Sequence, residues 1–373
     1  MMDDTKGVIE PLTITIKTLT PIWTGGVGGR CDRLHETGII GSLRWWYEAI
    51  VRGLGGYACD PTDDRRRCEL SGKEKTDAER REKLCPACYL FGCGGWRRRY
   101  RLEIVNVGKI VPFQLATLDN EGDFNHWWLS EIFDDAIGTD LFFGNVTLSF
   151  KSIGEKDDYE TVKKQLGALL SIMSHIGAIG AKTQYGFGQF EWKGRIELKD
   201  AIAEIQKFLS NRQFKSDENN ADWYSLKEFW SCELEVSSQN TLIKKFKNAN
   251  IIGKDDPLEK YLPVSFDIRY KLPKSASVAG LRQAYYFKNN KNKQKTRKIF
   301  GTLKGDKIGS RIFVSHLYKK DVADGKYWLR IWGFAEERVG DNVGEELKKM
   351  FALEENPEMK CGKDIIGHAR GDQ

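Results

Sequence analysis

The chain has 373 residues, too many for one ordinary hydrophobic core, so two domains are expected. With 40% hydrophobic and 30% charged residues it is globular and not disordered. No run approaches the ~20 apolar residues of a membrane span, and residues 1–10 carry no signal-like apolar stretch, so a cytoplasmic location is expected.

In chain order, Leu12, Ile14 and Ile16 alternate with polar residues and predict a half-buried strand. It leads into a glycine-rich loop ending at Arg30. Ser42 is a plausible N-cap for a helix running to Arg52, stopped by Gly53, Gly55 and Gly56. Residues 57–95 are polar, charged and cysteine-bearing, and are expected to be an insertion. Strands are predicted near 99–107 and 109–117 and at 146–150, then a helix at 158–175. A glycine-rich loop at 177–188 is followed by a strand at 189–196 and a helix at 199–209. The polar, unpatterned stretch that follows predicts a linker at 211–225. It divides a first domain, 1–210, from a second, 226–373. The second half has predicted strands near 264–271, 308–318 and 326–334. Ile40-Gly41-Ser42-Leu43-Arg44 is weakly repeated as Val278-Ala279-Gly280-Leu281-Arg282. The expected fold class is α+β, with a βαββαβ, ferredoxin-like unit used twice.

The net charge of +6 is too small to indicate a polyanionic partner, but the charge is clustered. Arg97, Arg98, Arg99 and Arg101 surround Tyr100, Arg65 to Arg67 form a second block, and Lys288 to Lys298 a third without acids. Such clusters attract nucleic acid by releasing counterions; the alternative is a solvated surface. In the 177–188 loop, Gly180-Ala181-Lys182-Thr183 is not a phosphate-binding P-loop. Ala181 stands where that motif needs glycine, and a helix precedes where a strand should. What remains is a glycine loop with Lys182, Gln184, Tyr185, Gly186, Phe187 and Gly188. Its backbone can approach phosphates and its rings can stack on bases, unless its glycines merely satisfy backbone geometry.

Six of the eight cysteines precede residue 94. Cys85-Pro86-Ala87-Cys88 has zinc-knuckle spacing, and Cys59 and Cys68 lie upstream, so these four are the expected ligands of a structural Zn2+. Reduced thiols are the alternative. No clear partner for His35 or His175 is visible, so an enzyme is not expected; a nuclease using either as general base is the rival reading.

The loop ending Tyr185-Gly186-Phe187-Gly188 resembles the signature loop of the RAMP proteins, repeat-associated subunits of CRISPR effector complexes. Thr20-Pro21-Ile22-Trp23-Thr24-Gly25-Gly26, followed by Ile39 to Tyr47, is similar to the first RAMP subunit of the Cmr, or type III-B, complex. Leu90-Phe91-Gly92 after a cysteine pair is also RAMP-like. One departure is Tyr47-Glu48, where the family pattern has another basic residue. The resemblance implies two ferredoxin-like domains, other Cmr subunits as partners, and contact with guide or target RNA without cleavage. It places RNA contacts at Arg30, Arg44, Trp46 and Lys182. A Glu48–Arg44 ion pair is the alternative for Arg44, and core packing for at least one of Trp45 and Trp46.

Overall fold

The structure, a computed structural model, describes residues 9–26, 31–113, 139–153, 156–248, 260–270, 279–302 and 308–367. The first unit opens with β1 (Leu12–Thr18), whose Ile14 and Ile16 point into the core as their alternation predicts. Helix α1 (Glu36–Gly53) begins earlier than Ser42, with His35 at the N-cap. Gly38 and Gly41, poor helix formers, obscure those first turns in the sequence. Burial of Ile39 and Ile40 and a bond from the His35 N–H to the Thr24 hydroxyl secure them instead.

The predicted insertion carries α2 (Asp77–Glu82) and α3 (Pro86–Phe91). The chain then forms the long hairpin β2 (Tyr100–Phe113) and β3 (Thr139–Ser152), helix α4 (Lys156–Ile176), β4 (Phe190–Glu191) and α5 (Leu198–Ser210). The sheet order is β2-β3-β1-β4, every pair antiparallel. That is the ferredoxin-like order, with the insertion between the first helix and the second strand. The predicted strand at 189–196 shortens to two residues because the chain leaves the sheet after Glu191.

The second unit comprises β5 (Phe229–Ser237), α6 (Thr241–Asn248), β6 (Tyr261–Leu262), α7 (Ser265–Arg269), α8 (Leu281–Lys288), α9 (Lys293–Phe300), β7 (Ile312–Val314), β8 (Leu317–Tyr318), β9 (Lys326–Phe334), α10 (Glu337–Phe351), β10 (Lys360–Cys361) and α11 (Gly362–Gly367). Strands β10, β5 and β9, with β7 and β8 on the far side of β9, repeat the same order. The predicted strand at 264–271 is in part helix α7. Phe266 and Ile268 alternate as in a strand, but all five α7 residues are buried, so alternation carried no face information there.

The weak repeat has structural counterparts. Arg44 on α1 donates to the carbonyl of Gly92, the C-cap of α3; Arg282 on α8 donates to the carbonyl of Gly301, the C-cap of α9. Both glycines have positive φ (89° and 72°), where a residue with a side chain is strained.

The units share an apolar seam. Trp45 meets Tyr224, Phe334 and Phe313 at centroid distances of 5.0, 5.3 and 5.9 Å. Residues 211–225 do not hang free: Arg212 donates to the Tyr89 hydroxyl, and the Lys215 N–H to the Leu84 carbonyl.

Candidate nucleic-acid interface and cysteine centre

The loop after α4 is tied to the segment after β1 by main-chain bonds. The Gly188 N–H donates to Pro21, the Ala181 N–H to Trp23 and the Ile179 N–H to Gly188. Gly180, Gly186 and Gly188 have φ of 89°, 98° and 82°. A Cβ at Gly188 would stand 1.9 Å from the Ile179 carbonyl oxygen, with the rest of the Ile179 backbone just behind it. Gly188→Ala is therefore expected to cost on the order of 3 kcal/mol or more through strain and displacement, checked by denaturant unfolding.

This weave turns the loop's residues in different directions. Tyr185 and Phe187 are buried, and Phe187 packs edge-on against His316 of the second unit, 4.9 Å between ring centroids. They pack the junction and do not offer stacking faces, a correction to the sequence reading. Gly186 and Gly188 serve backbone geometry, Gly186 because a Cβ there would stand 2.6 Å from the His316 ring. Lys182, Thr183 and Gln184 line a depression of about 280 Å³ between the units. Trp45, Tyr224, Ser310 and Phe313 complete its wall. Lys182 holds its ammonium 4.3 Å from the Trp23 ring, a cation–π contact that fixes the charge at the rim. The Gln184 carbonyl accepts from Arg269, which anchors the loop to α7.

The tryptophan pair divides its roles. Trp46 is 2% exposed and donates its Nε1–H to the Ala178 carbonyl, so it braces the loop from below and has no ring face for a base. Both tryptophans line the cleft, and Trp45, half-buried, is the more exposed of the two. Adjacent helical positions point about 100° apart, so one of the two had to enter the core, but nothing local decides which.

Arg44 is also placed differently from a free phosphate contact. Its guanidinium bonds Glu48 at 2.7 Å, the Gly92 carbonyl at 2.7 Å and the Cys88 sulfur at 3.2 Å. The sequence alternative of a Glu48 pair is present, and it is buried. Glu48 is the departure from the family pattern, and it sits between Arg44 and Arg52. Burial, opposed by the two arginines, leaves its carboxyl raised to about 7. Arg52 in turn bonds the carbonyls of Ala58, Cys59 and Tyr224, which ties the insertion and the 211–225 segment to α1.

Cys59, Cys68, Cys85 and Cys88 are buried, with their sulfurs all within 4.8 Å of one another. Cys59 lies 3.4 Å from Cys88 and 3.7 Å from Cys85. Four thiolates at ~2.3 Å around one tetrahedral ion stand ~3.8 Å apart, so the donor set fits a metal ion with little movement. Cys85 caps α3, its sulfur accepting the Cys88 N–H; the Cys68 sulfur accepts the Cys85 N–H. Such N–H groups and the Arg44 guanidinium stabilise thiolate charge. The insertion is less coreless than its composition implies. Leu84, Tyr89, Leu90 and Phe91 enter the main core, and the polar part is confined to the preceding residues.

The other sequence candidates lie elsewhere. Arg30 is outside the described residues. Arg97 is exposed, and Arg98 bonds the Tyr100 carbonyl. Arg99 stacks on Trp96 and reaches Asp77 and Asp158. None of these three lines the cleft between the units. His35 does have an acidic partner, Asp32 at 2.6 Å, which the sequence reading missed although it stands three residues away. His175 bonds the Ile196 carbonyl, and burial holds its pKa below the ordinary histidine value. Sequence reasoning also missed Trp45, Tyr224 and Phe313. The aromatic character of 223–224, just before the second unit, was the available signal.

No described helix is long and apolar enough to cross a membrane. Residues 15–191 match the family model of the RAMP superfamily. Among curated proteins the sequence has no significant match. Among the solved structures similar to it are two from Cmr systems. One is Cmr1 from Pyrococcus furiosus in its apo form, 14% identical over 87% of this chain and 88% of that one, with a TM-score of 0.46. The other is a chain of the type III-B Cmr-beta complex bound to cognate target RNA, 14% identical over 92% of this chain and 100% of that one, with a TM-score of 0.42. The ferredoxin-like order of the first sheet and the glycine loop after α4 fall within residues 15–191, the part of the chain that is similar to the RAMP superfamily.

Proposed function

We propose that this protein is a non-catalytic RNA-binding subunit of the type III-B CRISPR effector, the Cmr complex, acting in the cytoplasm in antiviral defence. It would contact the 3′ region of the guide RNA, the target RNA, or both, beside other RAMP subunits. The observation that carries this reading is the cleft between the units. A fixed lysine, Lys182, stands at its rim, and an aromatic wall of Trp45, Tyr224 and Phe313 lines it. A base can stack on the aromatic wall while its phosphate meets Lys182; neither contact reads sequence, which is left to guide–target pairing. The division into 1–210 and 226–373, joined by 211–225, belongs to the same reading, because the cleft lies where the two units meet.

We infer that the four cysteines hold a structural Zn2+. When bound, the ion would cross-link the insertion's two ends. Cys59 and Cys68 come from its start, and Cys85 and Cys88 hold α3 against α1, with Arg44 as the counter-charge.

Binding of single-stranded RNA to the full chain, followed by fluorescence anisotropy, tests the site. Lys182→Ala and Trp45→Ala are each expected to weaken binding by about 5- to 20-fold, roughly one lost phosphate contact or one lost stack of ~1–3 kcal/mol. Unchanged affinity in both would rule the cleft out. The rival nuclease reading rests on the His35–Asp32 pair. Wild-type protein is expected to leave repeat RNA intact; specific cleavage that disappears in His35→Ala would replace the proposed function.

A further inference from the structure

The second unit carries a larger depression, about 460 Å³, on the other side of the wall formed by residues 221–224 and 309–311. Its floor is apolar, made by the buried Tyr285, Phe334 and Val339. Its lining includes five cations, Lys288, Lys295, Lys298, Arg311 and Arg338, against three acids, Asp222, Glu228 and Glu336.

Helices α8 and α9 supply the lysines. From 279 to 302 the chain has no acidic residue. The turn between the helices has Asn290 and Lys291 both left-handed at φ 53° and 57°, and Lys291 is exposed there. Lys288 is paired with Glu345, and Lys298 stands 3.8 Å from Asp222. Lys291, Lys293, Lys295, Arg297 and Arg338 are exposed and make no ion pair among the described residues. Arg311 differs from these. It is anchored by the carbonyls of Phe334 and Asp222 and lies 5.5 Å from the Tyr224 ring centroid, the ring that also walls the Lys182 cleft.

We propose that the second unit binds the phosphodiester backbone of the same RNA strand. The strand leaves the cleft between the units over Tyr224 and Arg311 and continues into the basic depression, where Lys295, Lys298 and Arg338 neutralise its phosphates. This inference rests on the cleft reading above and extends it to a second, sequence-independent contact. Two features favour a polyanion over an acidic protein surface. The cations are long and separate, with Lys295 and Arg338 making no ion pair among the described residues, and the patch adjoins an aromatic site of nucleotide size across Tyr224 and Arg311. It also gives a role to the lysine-rich 288–298 segment, which the cleft itself does not use.

The test compares two single-stranded RNAs, about 5 and about 20 nucleotides long, the shorter able to fill only the cleft. The full chain is measured as wild type, as Lys182→Ala, and as the triple variant Lys295→Gln/Lys298→Gln/Arg338→Gln. All three triple-variant positions are exposed, so the fold is retained. The wild type is expected to bind the longer RNA more tightly and with a steeper salt dependence. The triple variant is expected to lose about 10-fold on the longer RNA and nothing on the shorter, and its salt slope is expected to fall by about 2, at ~0.7 per single-strand phosphate contact. If the triple variant binds the longer RNA as the wild type does, the proposal is overturned, even if assembly with other proteins suffers. If Lys182→Ala leaves the shorter RNA unaffected while the triple variant weakens the longer one, the cleft reading fails and the basic depression stands alone as the binding site. Absence of RNA binding in the wild type overturns both.

Discussion

Serine in place of Cys85 is expected to lower the midpoint of thermal unfolding by about 10 °C and to abolish stoichiometric zinc. The residue is fully buried, caps α3 and stands within 4.8 Å of the three other cluster sulfurs. Losing a structural metal from inside a core costs on the order of 4 kcal/mol, and each kcal/mol moves the midpoint of a large domain by ~2–4 °C. The effect should spread beyond the insertion, since α3 is buried along its whole length and carries Cys88, the sulfur that Arg44 on α1 bonds. Cys93→Ser provides the contrast. Cys93 is half-exposed and stands outside the four-sulfur cluster, so metal content and midpoint are expected to stay as in the wild type. Metal analysis with differential scanning calorimetry measures both quantities. Purified protein without stoichiometric zinc would reduce the cluster to four thiols; a large loss in Cys93→Ser would reassign the ligand set.

Arg330→Met should separate the two units' packing at a comparable cost, ~3–5 kcal/mol, as expected when one partner of a buried charge pair is removed. Arg330 rises from β9 and donates to the carbonyls of Ser174 and Gly177 at 3.1 and 3.4 Å, at the C-terminal end of α4. A cation there complements the helix dipole and satisfies carbonyls that have no intrahelical donor. Its other nitrogen holds Glu233 at 2.8 Å, and Lys320 and the Tyr318 hydroxyl share that carboxylate. Because the glycine loop starts at Gly177, the variant is also expected to weaken RNA binding without touching the cleft. Introducing Glu233→Gln alongside Arg330→Met should recover part of the stability, because the carboxylate that has lost its buried arginine is then neutral.

The same pair predicts an acid limit. Burial alone would raise the Glu233 carboxyl, but Arg330, Lys320 and Tyr318 outweigh it and hold it down at about 2. Its contribution is therefore complete above the unfolded-state value near 4.5 and is lost as pH falls from there toward 2. In wild type, stability measured by denaturant titration should fall across that window, and the fall should shrink in Glu233→Gln.

Residue order and periodicity alone determined much of this protein. The alternation at 12–16 and the apolar face at 158–175 predicted β1 and α4. The loop ending Tyr185-Gly186-Phe187-Gly188 pointed to the RAMP proteins. The Cys85–Cys88 spacing, with two upstream cysteines, named the four sulfurs that the fold gathers, because a two-residue gap constrains the chain locally. Tertiary structure decided what depends on contacts distant in sequence. Trp45 is the more exposed tryptophan of the cleft because the Ala178 carbonyl, 132 residues away, claims the Trp46 indole. Arg44 is committed to the cysteine centre by Gly92 and Cys88, and Tyr185 and Phe187 are sealed in by a second unit whose α7 was disguised by two-sided burial. Local spacing limits which way a side chain can point, but burial and charge pairing across the junction decide what it meets there.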